Sequence, residues 1–140
     1  MMTHEDHIKA FLARDFPQFN GEVLNAGPSL SRIRIDIGDA HLRPGGTVSG
    51  PTLMAAADAA LYVAVLAAVG IIPLAVTTNL NINFLRKPAA DCAVIAEARP
   101  LKVGKSLFYG EVSLYSEGFE QPVAHATGTY SIPPRSDTGS

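Results

Sequence analysis

The chain has 140 residues, enough for one domain with its own core and too few for two ordinary ones. Hydrophobic residues make up 47% and charged residues 17%, with mean hydropathy +0.17, which excludes wholesale disorder. A net charge of -2 and a pI near 6.0 lack the basic face of a nucleic-acid binder. The single cysteine, Cys92, excludes an internal disulfide or a cysteine-built zinc site, and the four histidines form no ligand pair.

Residues Met1 to Lys9 are acidic and polar, unlike a secretory signal or a basic transit peptide, so a cytoplasmic setting is expected. Thr3 and Asp6 form a capping-box-like pair, and Ile8, Phe11, Leu12 and Phe16 recur at helical spacing. These predict a helix over 3–16, ended by Pro17 and Asn20-Gly21. Strands are expected at Glu22–Ala26 and Leu30–Ile37, where Ile33, Ile35 and Ile37 alternate with Arg32, Arg34 and Asp36. A Gly/Pro-rich loop fills Ala40–Gly50, and Pro51 then opens a long apolar helix running to Val69, stopped by Gly70.

That helix is long enough to raise the membrane question. It holds eight alanines and, near its middle, Asp58, whose insertion would cost roughly 2.5–3.5 kcal/mol with little return from alanine. A buried core helix is the better reading, and no membrane partner is expected. Alternation returns from Leu74 to Phe84, with Val76, Thr78, Leu80, Ile82 and Phe84 on one face and Thr77, Asn79, Asn81 and Asn83 on the other. Three further strands are predicted at Cys92–Leu101, Ser106–Ser116 and Pro122–Ile132. Sequential strands joined by tight turns make an antiparallel sheet, and a helix apolar on most sides must be wrapped by it. The fold class is α+β: one domain over residues 1–132, with a helical extension at 1–20 and a flexible tail at 133–140.

Asp58 is the one charged residue among the 42 from Pro44 to Leu85, where proportion would give about seven. A carboxylate in such surroundings is either solvated on the helix surface or held there for chemistry. Gly50 stands at the start of the same helix, where free N–H groups and the macrodipole can polarise a carbonyl, though a plain Gly-Pro helix start is the simpler alternative. Together the two suit acyl transfer, one polarising the carbonyl and the other attacking it or activating water. Eight residues of helix separate them by roughly 12 Å, so one chain cannot bring both to one carbonyl. If they cooperate, they come from two subunits related by a two-fold axis.

Ser49-Gly50-Pro51 followed by Asp58, then Thr77 and Phe84-Leu85-Arg86-Lys87-Pro88-Ala89, resembles the hotdog-fold acyl-CoA thioesterases of the phenylacetyl-CoA and 4-hydroxybenzoyl-CoA type. Leu101-Lys102-Val103-Gly104-Lys105-Ser106-Leu107 and Ala124-His125-Ala126-Thr127-Gly128-Thr129-Tyr130 are similar to later stretches of the same family, so the likeness covers about Gly21 to Ile132. The resemblance implies about six antiparallel strands around a central helix, dimers often paired into tetramers, and hydrolysis of acyl-CoA at the dimer interface. No cofactor is implied, since coenzyme A is part of the substrate, and no metal site.

Carried over by position, Asp58 is the catalytic carboxylate, as nucleophile or general base, Gly50 the backbone donor, and Thr77 the hydroxyl that orients water. Tyr62, one turn beyond Asp58, shares its helix face, with a packed core aromatic as the alternative. The family commonly reads Asn-x-x-Gly-x-x-His-Gly-Gly before the helix. Here Gly46 and Gly50 persist, whereas Arg43, Ser49 and Pro51 replace the Asn, the His and the last Gly. Arg43 is a candidate for an anionic group on the acyl chain, or a solvated loop charge. Arg86, Lys87, Lys102 and Lys105 are candidates for the phosphates of coenzyme A, with solvated strand ends as the alternative. His125 reads as a satisfied mid-strand histidine and Cys92 as a small core hydrophobe. Two rivals keep the fold: an enoyl-thioester hydratase, which would need a histidine that the Asp58 helix lacks, and a non-catalytic acyl-CoA-binding protein.

Overall fold

A computed structural model describes residues 3–16, 19 and 21–134. The expected helix breakers Pro17 and Asn20, and residues 135–140 of the expected tail, lie outside the described residues. Among the described residues two α-helices, α1 (His4–Asp15) and α2 (Gly50–Val69), accompany eight strands. These are β1 (Glu22–Ala26), β2 (Ser31–Ile35), β3 (Leu42–Arg43), β4 (Thr47–Val48), β5 (Val76–Phe84), β6 (Val94–Val103), β7 (Leu107–Ser116) and β8 (Ala124–Ser131).

The helix α1 begins where the sequence places its cap. Thr3 Oγ1 accepts from the Asp6 N–H at 3.1 Å, and the Asp6 carboxylate accepts from the Thr3 N–H at 3.0 Å. The bond from the Thr3 N–H, with a smaller contribution from the Thr3 side chain, lowers the pKa of the Asp6 carboxyl from its ordinary value. Ile8, Phe11 and Leu12 are buried where α1 packs on α2 and β1. The helix α2 starts one residue before Pro51, capped by Ser49, whose Oγ accepts from the Thr52 N–H at 3.3 Å. It ends at Gly70 (φ +99°), whose N–H donates to the Leu66 carbonyl at 2.9 Å.

Six strands form one antiparallel sheet in the order β1-β2-β6-β7-β8-β5. The sheet wraps α2 and, with α1 added, gives the hotdog architecture expected from the sequence. By length and composition α2 is apolar enough to cross a membrane, yet ten of its residues, among them five alanines and its three leucines, are buried within the fold. Close approach is possible because Gly110 and Gly128 stand opposite each other on β7 and β8. A Cβ at Gly128 would come within 2.6 Å of Leu61 Cδ1, and one at Gly110 within 3.0 Å of Leu61 Cδ2. The two glycines form the slot that takes the Leu61 side chain.

Three expectations are corrected. The stretch 40–50 is not a plain loop: a 3₁₀ turn (Asp39–His41) leads into the β3–β4 ribbon, closed by Pro44-Gly45 with Gly45 at φ +99°. Cys92 lies outside the core, half-buried, with its thiol donating to Asp91 Oδ1 at 3.6 Å. On β5 the expected faces hold only from Asn79 onward, because a bulge lies between Thr77 and Asn79. Thr77 opposes the buried Tyr130, while Leu80, Ile82 and Phe84 oppose Gly128, Ala126 and Ala124 on the same inward face. The bulge thus turns Thr77 inward, away from the asparagine row where strict alternation put it.

Candidate active site

Asp58 sits half-buried on the side of α2 that the sheet leaves open, along with Ala55, Ala59 and Tyr62. Two hydroxyls meet its carboxylate. Thr77 Oγ1 donates to Oδ1 at 2.7 Å, and the Tyr130 phenol donates to the same Oδ1 at 2.7 Å, lying 3.1 Å from the Asp58 main-chain carbonyl as well. Thr77 and Tyr130 are cross-strand partners on β5 and β8, so the register that the bulge sets delivers both to one atom. No donor among the described residues meets Oδ2.

Tyr130 is 3% exposed. Burial pushes its phenol well above the ordinary tyrosine range, the Thr77 hydrogen bond opposes this, and the Asp58 carboxylate adds to it. The phenol therefore stays protonated and acts as a donor at neutral pH. Tyr62 stacks on Tyr130 (ring centroids 6.1 Å, interplanar 25°), and Phe11 and Phe16 of the α1 region pack on Tyr62 at 6.5 and 5.9 Å. Burial raises the Tyr62 phenol, with a further contribution from Asp15.

These groups line a cleft of about 710 Å³. Asp58, Thr77 and Tyr130 stand at its polar part, and Phe11, Phe16, Ala55, Ala59 and Val76 give an apolar wall. It has a carboxylate with one oxygen that meets no donor among the described residues, hydroxyl donors that hold the other oxygen, and an aromatic surface for an apolar group. Such an arrangement can take a proton from water or attack a carbonyl carbon.

Of the residues singled out from the sequence, the structure brings together Asp58, Thr77 and Tyr62. Gly50 occupies the first turn of α2, its N–H meeting no acceptor among the described residues, beneath the Phe84 ring at the far end of β5. It does not line the Asp58 cleft. Ser49 is the α2 cap, its hydroxyl 2.8 Å from Thr52 Oγ1. Arg43 is exposed at the corner of the β3–β4 ribbon. Arg86 and Lys87 border a separate groove of about 490 Å³ with Phe119 and Ser116, where the Arg86 guanidinium donates to the Pro122 carbonyl. Lys102 and Lys105 are exposed around the β6–β7 turn. His125 is satisfied by Glu111, Nε2 lying 2.9 Å from Oε1. Among the described residues no group of three or more His, Cys, Asp or Glu could hold a metal ion.

Sequence reasoning missed Tyr130 as a neighbour of Asp58. The inward row of β8 reads Ala124, Ala126, Gly128, Tyr130, three small residues and then one large ring with a polar tip. A buried tyrosine needs a partner for its hydroxyl, and that break in the row is the signal that was available.

The thioesterase superfamily model matches residues 45–122, more than half of the chain. A candidate thioesterase from Silicibacter sp. TM1040 has a similar structure, with TM-score 0.84 and 46% identity over 92% of this chain and 91% of that one. A variant of the phenylacetic acid degradation protein PaaI from Thermus thermophilus follows with TM-score 0.72 and 25% identity, over 89% and 99% of the two chains. A Streptococcus mutans protein bound to acetyl CoA shares the fold, with TM-score 0.73 and 18% identity over 82% and 90%. No curated protein matches the chain. The chain belongs to the thioesterase superfamily and is a thioester hydrolase.

Proposed function

We propose that the protein hydrolyses acyl-CoA thioesters to a carboxylic acid and free coenzyme A, at sites that two copies of the chain build together. The carrying observation is the Asp58 carboxylate, held by Thr77 and Tyr130 at the edge of an aromatic cleft. The acyl group occupies the wall of Phe11, Phe16 and Tyr62. Gly50 of the second copy donates its free N–H to the thioester oxygen. Arg86, Lys87, Lys102 and Lys105 are candidates for the phosphates of the coenzyme, and Arg43 for an anionic group. That the same fold accommodates acetyl-CoA in the Streptococcus protein supports the substrate class.

The shared site follows from how β5 relates to α2. Asp58 lies at the Thr77 end of the strand and Gly50 at the Phe84 end, and β5 is an edge strand with Val76 and Phe84 more than half exposed. Antiparallel pairing of β5 with its own copy about the strand centre carries the Phe84 end of one chain to the Thr77 end of the other. The Gly50 amide then faces the partner's Asp58, two sites form per dimer, and the apolar edge is covered. Two such dimers make the expected tetramer.

In the general-base route, Asp58 takes a proton from water as the oxygen bonds to the carbonyl carbon. The tetrahedral oxyanion rests on the Gly50 N–H, collapse breaks the C–S bond, and the thiolate of coenzyme A takes back a proton. In the nucleophilic route the carboxylate oxygen bonds to the same carbon and expels the thiolate. Water then cleaves the resulting anhydride, giving the acid and restoring Asp58. After a single turnover in ¹⁸O-water, label in Asp58 identifies the nucleophilic route with water opening the anhydride at the Asp58 carbonyl, whereas the general-base route puts the label only in the product acid. Thiol release from aromatic, short and long acyl-CoA substrates tests the whole reading. Turnover that disappears in Asp58→Asn supports it, and tight acyl-CoA binding with no turnover in the wild type overturns it in favour of a binding protein.

A further inference from the structure

We infer that Tyr130 is a positioning residue that, together with Thr77, ties down Asp58 Oδ1 and leaves Oδ2 as the oxygen that meets the carbonyl carbon or the attacking water. This rests on the proposed hydrolysis at Asp58 and assigns its reacting atom.

Two hydroxyl protons converge on one carboxylate oxygen, each at 2.7 Å, while the other oxygen has no donor among the described residues. An oxygen that accepts two charge-assisted hydrogen bonds has its lone pairs occupied and part of its charge withdrawn, so it is the poorer base and nucleophile. The two donors also stop rotation of the carboxylate about its last side-chain bond, a torsion with broad wells and little intrinsic preference. Held this way, the carboxylate presents the same oxygen to the cleft at every encounter, which converts orientation into rate.

The arrangement rules out the other obvious role for the phenol, that of proton donor to the departing thiolate. Tyr130 is 3% exposed, and its proton is committed to Asp58. Burial raises its pKa, which makes it a weaker acid still. A purely space-filling role is separable too, because phenylalanine fills the same volume against Tyr62 and lacks only the hydroxyl.

The test compares Tyr130→Phe, Thr77→Val, Thr77→Ser and the Tyr130→Phe/Thr77→Val pair with the wild type, with thermal melting to verify folding. Each loss of a hydroxyl should lower kcat by about 10- to 100-fold while KM stays within about twofold. Thr77→Ser, which keeps the donor, should restore most of the rate. The double variant should lose less than the product of the single losses, because both donors act on one atom. A second readout is tyrosinate absorbance during alkaline titration. Wild type and Tyr130→Phe should show the same step near about pH 10, since a phenol bonded to the carboxylate does not ionise there. A folded Tyr130→Phe with wild-type kcat, an effect confined to KM, or a smaller pH 10 step in the variant would each overturn the inference. Asp58→Asn, run alongside, separates the two levels. If it keeps full turnover the hydrolytic reading fails, and if it is inactive while Tyr130→Phe is unimpaired, only the positioning role fails.

Discussion

At the Asp58 turn of α2 the chain supplies every neighbour from itself: Thr77 from β5, Tyr130 from β8, Tyr62 from the next turn and Phe11 from α1. Eight residues earlier, at the Gly50 turn, its hydrogen bonds go to capping the helix, the Thr52 N–H donating to Ser49 Oγ and Thr52 Oγ1 to the His41 carbonyl. Arg43 is exposed, and a Cβ added at Gly50 would meet the Phe84 ring, on the edge strand β5, at 3.3 Å. Within one copy, Asp58 Oδ1 meets two donors while the Gly50 N–H meets no acceptor among the described residues. Under the proposed dimer a second copy would complete the Gly50 end, so the contrast separates what one copy supplies from what its partner would add.

The largest effect should come from damaging the Asp58 end. Asp58→Asn keeps the size of the side chain and removes its ability to take a proton or attack. We expect kcat for thiol release to fall by about a thousandfold, with the mass by light scattering unchanged. Next comes a test that joins the two ends. Asp58→Ala subunits mixed with Gly50→Val subunits should regain about a quarter of wild-type activity, because half of the random dimers are hybrids with one intact site each. Two inactive parents that exchange subunits, as verified by mass, and regain nothing would assign both ends to one chain.

A smaller effect should follow at the apolar wall. Phe16 stands edge-on to Tyr62, 5.9 Å away, and forms part of the cleft lining. Phe16→Ala enlarges the wall without touching Asp58, so kcat/KM should shift toward bulkier acyl groups by about tenfold relative to small ones. Equal loss on all acyl groups would show that the acyl chain lies elsewhere.

How much of this was legible in the sequence depends on whether the signal was compositional or geometric. Asp58 stood out because 41 uncharged residues surround it, and the alanine-rich helix announced that a sheet must wrap it. Thr77 was singled out by resemblance yet placed on the wrong face, because a bulge adds one residue to one strand and no residue type marks it. Nothing local marks Tyr130 as a neighbour of Asp58, since which strand pairs with β5 is a long-range outcome of topology. Cys92 was expected in the core on the usual behaviour of free cysteines, and the carboxylate of Asp91 beside it shows why local context prevailed. The exposure of Val76 and Phe84 was likewise invisible, because alternation reports a face and not whether anything covers it.

The smallest effect is on stability, and its sign is fixed by the phenol at the Asp58 end. Burial and the Asp58 carboxylate raise the folded-state pKa of Tyr130, with the Thr77 bond opposing them, above the value of about 10 that it takes once unfolded. Below pH 10 the phenol is protonated in both states and its contribution is fully present. Above pH 10 the unfolded chain releases the proton while the folded chain keeps it, so the folded state binds more protons and stability falls as pH rises. Tyr130→Phe has no proton to lose. Urea midpoints measured at about pH 8 and about pH 11 should therefore decline more steeply in the wild type than in Tyr130→Phe. Tyr62, raised chiefly by burial, should leave a residual slope in the variant. Identical slopes in the two proteins would mean that the Tyr130 phenol titrates alike in the folded and unfolded chain, which a hydroxyl sequestered against Asp58 cannot do.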